Sequence, residues 1–186
     1  MKTYLLLSIV SVLASPTWAA KIADPKCNDI ITINDKFTPQ YVAVIDGYDK
    51  NNKKLGEEID VGGITKESSP LKQACQNQKT KSIKDVRKNV ATTAAASTSP
   101  AASTSLPPKI NPVNATCEDF IALGEDYQPV AAFWVAGHNK SGKVIKKGEV
   151  TEEFLETPVL TLVEECRKNP KASFYSQAKT WFEKRL

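Results

Sequence analysis

Residues 27–50 read CNDIITINDKFTPQYVAVIDGYDK, and residues 117–140 read CEDFIALGEDYQPVAAFWVAGHNK. At a constant offset of 90 positions, both stretches carry a cysteine, an aspartate, an aromatic residue two places before a proline, and a glycine three places before a lysine. So many agreements at one offset indicate an internal repeat. The repeat therefore predicts two small modules, which the chain length of 186 residues alone does not decide.

The correspondence slips after residue 50 and returns near the second cysteine of each copy. Ser69-Pro70 then matches Thr157-Pro158, and Cys75 matches Cys166. Surface loops tolerate changes of length. We therefore expect one fold for both copies and a different middle loop in each.

The segment 91–112 separates the copies and is rich in Ala, Ser, Thr and Pro, with Lys109 as its single charged residue. Such a composition cannot bury a core. The sequence therefore predicts a flexible linker at 91–112 between a first module at 20–90 and a second at 113–186. A flexible chain of this length has an end-to-end distance on the order of 25 Å, so the two modules can touch each other.

The N-terminal residues 1–19 have the pattern of a secretory signal peptide. Lys2 precedes an apolar run of about ten residues, which is too short to span a bilayer of about 30 Å. Thr17 and Ala19 are small residues at the spacing that signal peptidase reads. We expect cleavage after Ala19 and export, with an uncleaved N-terminal anchor as the alternative. No later stretch of the sequence is apolar enough for stable membrane insertion.

Export determines how the four cysteines are interpreted, because an oxidising compartment favours disulfides. None of them lies in a C-x-x-C pair suited to zinc, and four cysteines allow three connectivities. Cys27 and Cys75 are 48 positions apart, and Cys117 and Cys166 are 49 apart. These nearly equal intervals favour one bridge within each half. A module of about 65 residues has too small an interior to be comfortably stable without such a bridge.

Helix signals occur in both copies. In the second, Thr116 is placed to cap a helix with Asp119 reaching back, and Thr157 precedes Pro158 at the start of another. In the first, Asp24-Pro25 and Ser69-Pro70 give similar start signals. We expect the last helix of the first copy to be the shorter of the two last helices, because the linker composition begins at Ala91.

Catalytic groups are sparse in this sequence. Its one histidine, His138, lies in a polar Gly-His-Asn-Lys-Ser-Gly stretch that predicts a solvent-exposed loop. The sequence therefore predicts no enzyme, no metal site and no cofactor. The lysines behind the pI of about 8.8 are spread over both copies and mixed with acids, so no nucleic-acid partner is expected.

Apolar segments are the remaining informative feature, at residues 41–45, 59–64 and 131–136. Most of these residues are expected to form the core. Domains this small cannot hide every large apolar side chain, so we also expect part of the three segments to form an exposed patch that binds a partner.

The matching residues resemble the HdeA/HdeB acid-stress chaperones of the bacterial periplasm. The resemblance runs through Thr116-Cys117-Glu118-Asp119-Phe120, Tyr127-Gln128-Pro129, Cys27-Asn28-Asp29 and Phe37-Thr38-Pro39. It implies an all-α fold of two small disulfide-closed helical modules, joined by the linker and free of cofactors. It also implies a folded, inactive dimer at neutral pH that dissociates in strong acid and binds unfolded periplasmic proteins.

The resemblance also implies which residues bind clients. The matching positions are Phe37, Tyr41, Val42, Val44, Ile59, Val61, Ile64, Tyr127, Phe133 and Trp134. The second copy departs from the pattern, since the charged residues 146–152 stand where the first has the apolar residues 59–64. Two interpretations follow: only the first copy keeps that client segment, or the second copy has taken on another task.

The charge balance makes acid opening plausible. Without Lys2, the 25 Lys and Arg of the chain become 24, against 21 Asp and Glu. Protonation of the carboxylates below about pH 3 raises the net charge from +3 to about +25, and self-repulsion then opens the modules. Asp29 and Asp119 are the candidate pH-sensing residues, because each lies in the helix turn beside a bridging cysteine.

A tandem arrangement allows two kinds of pairing. The modules can dock on each other as a pseudo-dimer within one chain, favoured by a tethered concentration of order millimolar, or two chains can form a homodimer. The alternative function is an exported interaction module that binds one envelope partner at neutral pH through Phe133 and Trp134.

Overall fold

The computed structural model describes residues 19–50, 57–96, 108–140, 145 and 148–185. The predicted signal peptide apart from Ala19, and the middle of the predicted linker, lie outside these residues. The described part of the chain is mostly helical, with a few short strands. The predicted all-α fold with one disulfide in each half is therefore confirmed.

The two halves have similar orders of elements, but the first has a 3₁₀ turn before its second helix, and the second has two helices, at 152–155 and 160–168, where the first has one at 61–76. The first half contains β1 (Ala19–Lys21), α1 (Cys27–Thr32), a 3₁₀ turn (Asp35–Phe37), α2 (Thr38–Lys50), β2 (Ile59–Asp60), α3 (Val61–Gln76) and α4 (Ile83–Ala96). The second half contains β3 (Lys109–Ile110), α5 (Cys117–Ala122), α6 (Gln128–Asn139), β4 (Glu149–Thr151), α7 (Glu152–Leu155), α8 (Leu160–Lys168) and α9 (Phe174–Arg185).

One disulfide closes each half. Cys27–Cys75 joins α1 to α3, and Cys117–Cys166 joins α5 to α8. All four cysteines are fully buried. In each half, the bridge therefore holds the first helix to the second-to-last helix.

The helix starts partly follow the sequence signals. The Thr116 side chain accepts a hydrogen bond from the Asp119 backbone at 3.3 Å, and the Asp119 carboxylate accepts one from the Thr116 backbone at 2.8 Å, as a capping box requires. The Thr157-Pro158 prediction is wrong by two residues, because α8 begins at Leu160 after Val159 at the N-cap.

The two start signals in the first half are also wrong. Pro70 lies inside α3, which begins at Val61 because the Asp60 carboxylate accepts a hydrogen bond from Gly63 N at 2.7 Å and caps the helix nine residues earlier. Asp24 has a φ of 57°, and α1 begins after Lys26. At these two positions, the proline and the residue before it therefore did not fix the first turn of the helix.

Both ends of the predicted linker are part of regular structure. α4 runs through Ala96, and its 14 residues exceed the 12 of α9, so the expected shorter last helix is wrong. Alanine is the strongest helix former, which explains why the helix continues into the Ala-rich segment. At the other end, Ile110 of β3 is buried. The module boundaries at residues 90 and 113 stay a proposal.

The halves exchange short strands. β1 of the first half pairs antiparallel with β4 of the second, with Ala20 opposite Val150. β3 of the second half pairs antiparallel with β2 of the first, with Ile110 opposite Ile59. Each half therefore supplies its N-terminal strand to the other half.

The two halves share one hydrophobic core. A single cluster of buried residues includes α1 and α2 of the first half together with α5, α6 and α9 of the second. The interior is therefore larger than that of either half alone, and fewer apolar side chains are left on the surface.

Within the described ranges, no helix combines the length and the apolar character needed to cross a membrane.

Candidate functional site

The halves meet chiefly where α2 crosses α6. A Cβ atom on Gly47 would lie 2.2 Å from the carbonyl oxygen of Trp134, and one on Gly137 would lie 2.2 Å from the carbonyl oxygen of Val44. Gly47 and Val44 correspond to Gly137 and Trp134 in the repeat. The same contact is therefore made twice about a pseudo-twofold axis, and glycine permits it because any side chain would force the helices apart.

The residues predicted to bind clients lie in this shared interior. Nine of the ten are at most 8% exposed, and the tenth, Tyr127, is half-buried. The expected exposed apolar patch is wrong for the described residues, where Leu160 is the one large hydrophobic side chain that is exposed, at 67%. The physical reason is that the two small interiors are pooled.

The client-binding segments of the first half lie on α2 and β2. Tyr41, Val42 and Val44 lie on α2, and the Tyr41 hydroxyl donates a hydrogen bond to the Lys21 carbonyl of β1 at 2.5 Å. Ile59 lies in β2 and pairs with the second half. Opening the halves would therefore uncover α2 and the exchanged strands together.

Phe133 and Trp134 are neighbours in sequence but point to different parts of the interior. The Phe133 ring packs at 5.4 Å from both Phe154 of α7 and Phe182 of α9, in the core of its own half. The Trp134 indole instead reaches the first half, where it donates a hydrogen bond to Asp46 at 2.9 Å. The structure therefore does not place the two side chains on one surface.

The apolar segment expected only in the first half has a counterpart in the second. Asp60 and Thr151 both cap the helix that follows, accepting hydrogen bonds from Gly63 N and Phe154 N at 2.7 and 3.2 Å. This equivalence aligns residues 59–64 with residues 150–155, rather than with the charged residues 146–152. Val150, Phe154 and Leu155 are all buried, so both halves keep apolar residues in this segment.

A polar network crosses the interface beside Trp134. Arg87 of α4 donates one hydrogen bond to Asp46 at 3.3 Å and another to Glu67 of α3. Burial alone would lower the pKa of the Arg87 guanidinium, but hydrogen bonds and charge from Glu67 and Asp46 hold it above its usual value. The sequence did not predict this network, whose indole and carboxylate are 88 positions apart.

His138 is buried, so the predicted solvent-exposed loop is wrong. Its ring is stacked on Trp134 at 4.9 Å, and its Nδ1 atom lies 2.7 Å from the Tyr175 hydroxyl. Burial lowers the pKa of His138. The sequence signal was misleading because Gly137, which suggested a loop, serves the close helix crossing inside α6.

The comparisons with known proteins agree with this architecture. The family model described as "HdeA/HdeB family" matches residues 2–85 and 88–176. The chain belongs to the HdeA/HdeB family. One match contains Cys27 and Cys75, and the other contains Cys117 and Cys166. The chain therefore carries the HdeA/HdeB pattern twice.

Curated relatives carry the name "Probable acid stress chaperone HdeA" in Brucella ovis, Brucella abortus and Brucella melitensis. Each is 38% identical over 69 residues, which is 37% of this chain and 60% of the relative. The chain thus spans 60% of the length of these relatives. No solved structure matches the chain. The relatives' names describe chaperones rather than enzymes.

The two candidate pH-sensing residues of this HdeA/HdeB protein occupy equivalent places. The Asp119 carboxylate accepts hydrogen bonds from the Thr116 backbone and hydroxyl at 2.8 and 2.7 Å, and these bonds hold its pKa below the usual range. Asp29 accepts a hydrogen bond from Lys26 N at 2.7 Å. Their role in sensing acid stays a prediction. Within the described ranges, no group of three His, Cys, Asp or Glu residues could hold a metal ion.

Proposed function

We propose that this protein is an acid-stress chaperone of the bacterial periplasm. At neutral pH its two halves are closed on each other. In acid they separate, and the uncovered apolar segments bind unfolded proteins of that compartment and prevent their aggregation. The observation that carries the proposal is the burial of nine of the ten predicted client-binding residues, because a chaperone that is inactive at neutral pH must cover its binding surface.

The electrostatics of the interface support acid opening. Asp46 and Glu67 hold the Arg87 guanidinium in a partly buried position. Protonation of the two carboxylates would leave this positive charge without its counter-charges, which is strongly unfavourable in a partly buried site. The same protonation raises the net charge of the whole chain. Local and global electrostatics therefore act in the same direction.

The disulfides support a limited opening. They link helices within each half and do not join one half to the other. The halves can thus separate while each stays closed by its bridge, which restricts the expansion of the acid state.

The alternative function, binding of one envelope partner at neutral pH through Phe133 and Trp134, has no support in the closed chain. Phe133 is 1% exposed and Trp134 is 4% exposed, and the two rings point to different neighbours. A partner could reach Trp134 only after the halves had separated, whereas Phe133 packs in the core of its own half.

The test measures light scattering by an enzyme that aggregates when it is acidified to pH 2–3, with and without this protein. We expect suppression of aggregation at pH 2–3 and none when an equally aggregating client is heated at pH 7. A disulfide between the halves provides the control. Ile59 and Ile110 are opposite each other in antiparallel strands, whose Cα separation of about 4.5–5.5 Å suits a disulfide.

The doubly substituted Ile59→Cys/Ile110→Cys chain, once oxidised, is expected to lose protection in acid, whereas each single substitution keeps it. Equal protection by the oxidised double variant, or protection by the wild-type chain at pH 7, would contradict the proposal.

A further inference from the structure

We infer that helices α2 and α6 are matched to each other by their side chains, so that each half selects the other half over a second copy of itself. The residues that encode this choice are Asp46 and Trp134, which occupy non-equivalent positions in the repeat. This selection of a partner does not depend on chaperone activity.

The backbone of the crossing does not distinguish between partners. Gly47 contacts the Trp134 carbonyl, and Gly137 contacts the Val44 carbonyl, in the same way. Because the two contacts are equivalent, α2 could meet α2 of a second chain, or α6 could meet another α6, with the same close approach of backbones. The choice of partner must therefore come from the side chains.

The side chains at the crossing break this equivalence. Trp134 corresponds to Val44 in the repeat, and Asp46 corresponds to Ala136. The indole nitrogen of Trp134 donates to the Asp46 carboxylate at 2.9 Å, whereas the pseudo-symmetric pair, Val44 and Ala136, has no side-chain donor or acceptor. One large donor therefore meets one acceptor on one side of the axis, and two small apolar residues occupy the other side.

Pairing of like helices would lose this match. Two α2 helices would place each Asp46 carboxylate against Val44, without the indole donor. Two α6 helices would place each Trp134 indole against Ala136, without the carboxylate acceptor. In an α2 pair, each Asp46 carboxylate would keep its hydrogen bond from Arg87 but lose the one from the indole. In an α6 pair, each indole nitrogen would be buried without an acceptor, which is costly, so both like pairings are disfavoured relative to α2 with α6.

A second side-chain contact also joins α6 to α2. The Lys140 ammonium at the end of α6 lies 5.1 Å from the ring centre of Tyr48 on α2, at a distance typical of a cation–π interaction. The residue that corresponds to Tyr48 is His138, whose ring is packed on Trp134 and bound to Tyr175. Lys140 therefore finds its aromatic partner on the other half.

The test must break the pairing inside each chain, because a covalent connection favours internal pairing whatever the side chains are. Gly47→Leu in the full chain blocks α2 and leaves α6 available. Gly137→Leu blocks α6 and leaves α2 available. Far-UV circular dichroism first checks that both variants keep their helices, and Gly47→Ala with Gly137→Ala replaces them if a leucine variant does not fold.

Sedimentation velocity at neutral pH then compares each variant alone with their equimolar mixture. We expect each variant alone to be a monomer and the mixture to form a one-to-one dimer, in which α6 of one chain meets α2 of the other. Gly124→Leu is the matched control, since a Cβ there meets only ordinary contacts at 3.5 Å, and it stays a monomer alone. Dimerisation of either variant alone as strong as that of the mixture, or no dimer in the mixture, overturns the inference.

A final pair of substitutions assigns the selectivity to the named residues. Trp134→Val in the Gly47→Leu chain, or Asp46→Ala in the Gly137→Leu chain, is expected to weaken the mixed dimer at least tenfold. Combining both is expected to weaken it by much less than the product of the two effects, because they remove one shared hydrogen bond. Independent, multiplicative effects would show that Asp46 and Trp134 do not act as a pair.

Discussion

Arg87 on the last helix of the first half donates a hydrogen bond to Asp46, which lies on the helix that meets the second half. Asp46 in turn accepts the indole hydrogen of Trp134 from that second half. The carboxylate thus joins the interior of one half to the surface of the other, and its negative charge is the component of this contact that acid removes.

Asp46→Asn tests this role, because asparagine removes the charge at neutral pH as acid does in the wild type. We expect a loss of about 1.5–3 kcal/mol in the free energy of unfolding at pH 7, the range for hydrogen bonds to charged groups. Urea denaturation followed by tryptophan fluorescence measures it. Asp85→Asn is the control, since Asp85 is exposed and lies 4.0 Å from Lys88, and surface pairs of this kind contribute about 0–1 kcal/mol. Equal losses for both variants would refute the role of Asp46.

Gly137→Ala tests the close helix crossing. Its Cβ would overlap the Val44 carbonyl, so α2 and α6 must separate, and we expect destabilisation of about 1–3 kcal/mol, as for overpacking of a core. Gly124→Ala serves as the control, because a Cβ there meets only ordinary contacts with the Tyr127 ring at 3.5 Å and beyond. A Gly137→Ala chain as stable as the control would contradict the crossing geometry.

Because His138 is buried, we expect the folded protein to lose stability in mild acid. Its pKa is lowered by burial, so the unfolded chain takes up a proton at a higher pH than the folded chain does. The stabilisation is therefore complete above the unfolded pKa of about 6.5 and decreases as the pH falls from there towards the folded pKa. We expect His138→Gln to remove this decrease. Urea denaturation at pH 7 and pH 5 measures it, and equal decreases for both chains would show that His138 does not contribute.

Reduction of the two disulfides is expected to have different effects at neutral pH and in acid. The bridges close loops of 48 and 49 residues, and each stabilises the folded chain by about 4 kcal/mol on the chain-entropy estimate. We therefore expect reduction of both bridges to unfold the halves at neutral pH, seen as loss of the far-UV helix signal. In acid, we expect the reduced chain to have a larger radius of gyration than the oxidised one. An unchanged helix signal after reduction is the contrary result.

Local features of the fold could be predicted from the sequence. The spacing of the cysteines favoured the pairing that the structure contains, and the Thr116 and Asp119 capping box forms because its partners are three residues apart. The helix starts near Pro70 and Pro158 could not be predicted in the same way. Asp60 caps α3 while its strand pairs with the other half, and this pairing is not visible in a local pattern.

The candidate site was predicted as a set of residues but not as an interface. The ten client-binding positions were named from the resemblance, whereas nine of them are buried in a core that the two halves share. Asp46, Arg87 and Glu67 were missed because their contacts join four helices. His138 was misplaced because its stretch is polar, although the close approach at Gly137 draws it into the interior.

We expect acid to separate the halves and uncover the segments at their interface, where clients then bind. The most direct measurement places a photo-crosslinking amino acid at Val42, which is 2% exposed, or at Leu160, which is 67% exposed, and maps crosslinks to an acid-denatured client. We expect strong crosslinking from position 42 at pH 2–3, none from it at pH 7, and little from position 160 at either pH. Crosslinking from position 42 at pH 7, or from position 160 in preference to position 42 at pH 2–3, would contradict this expectation.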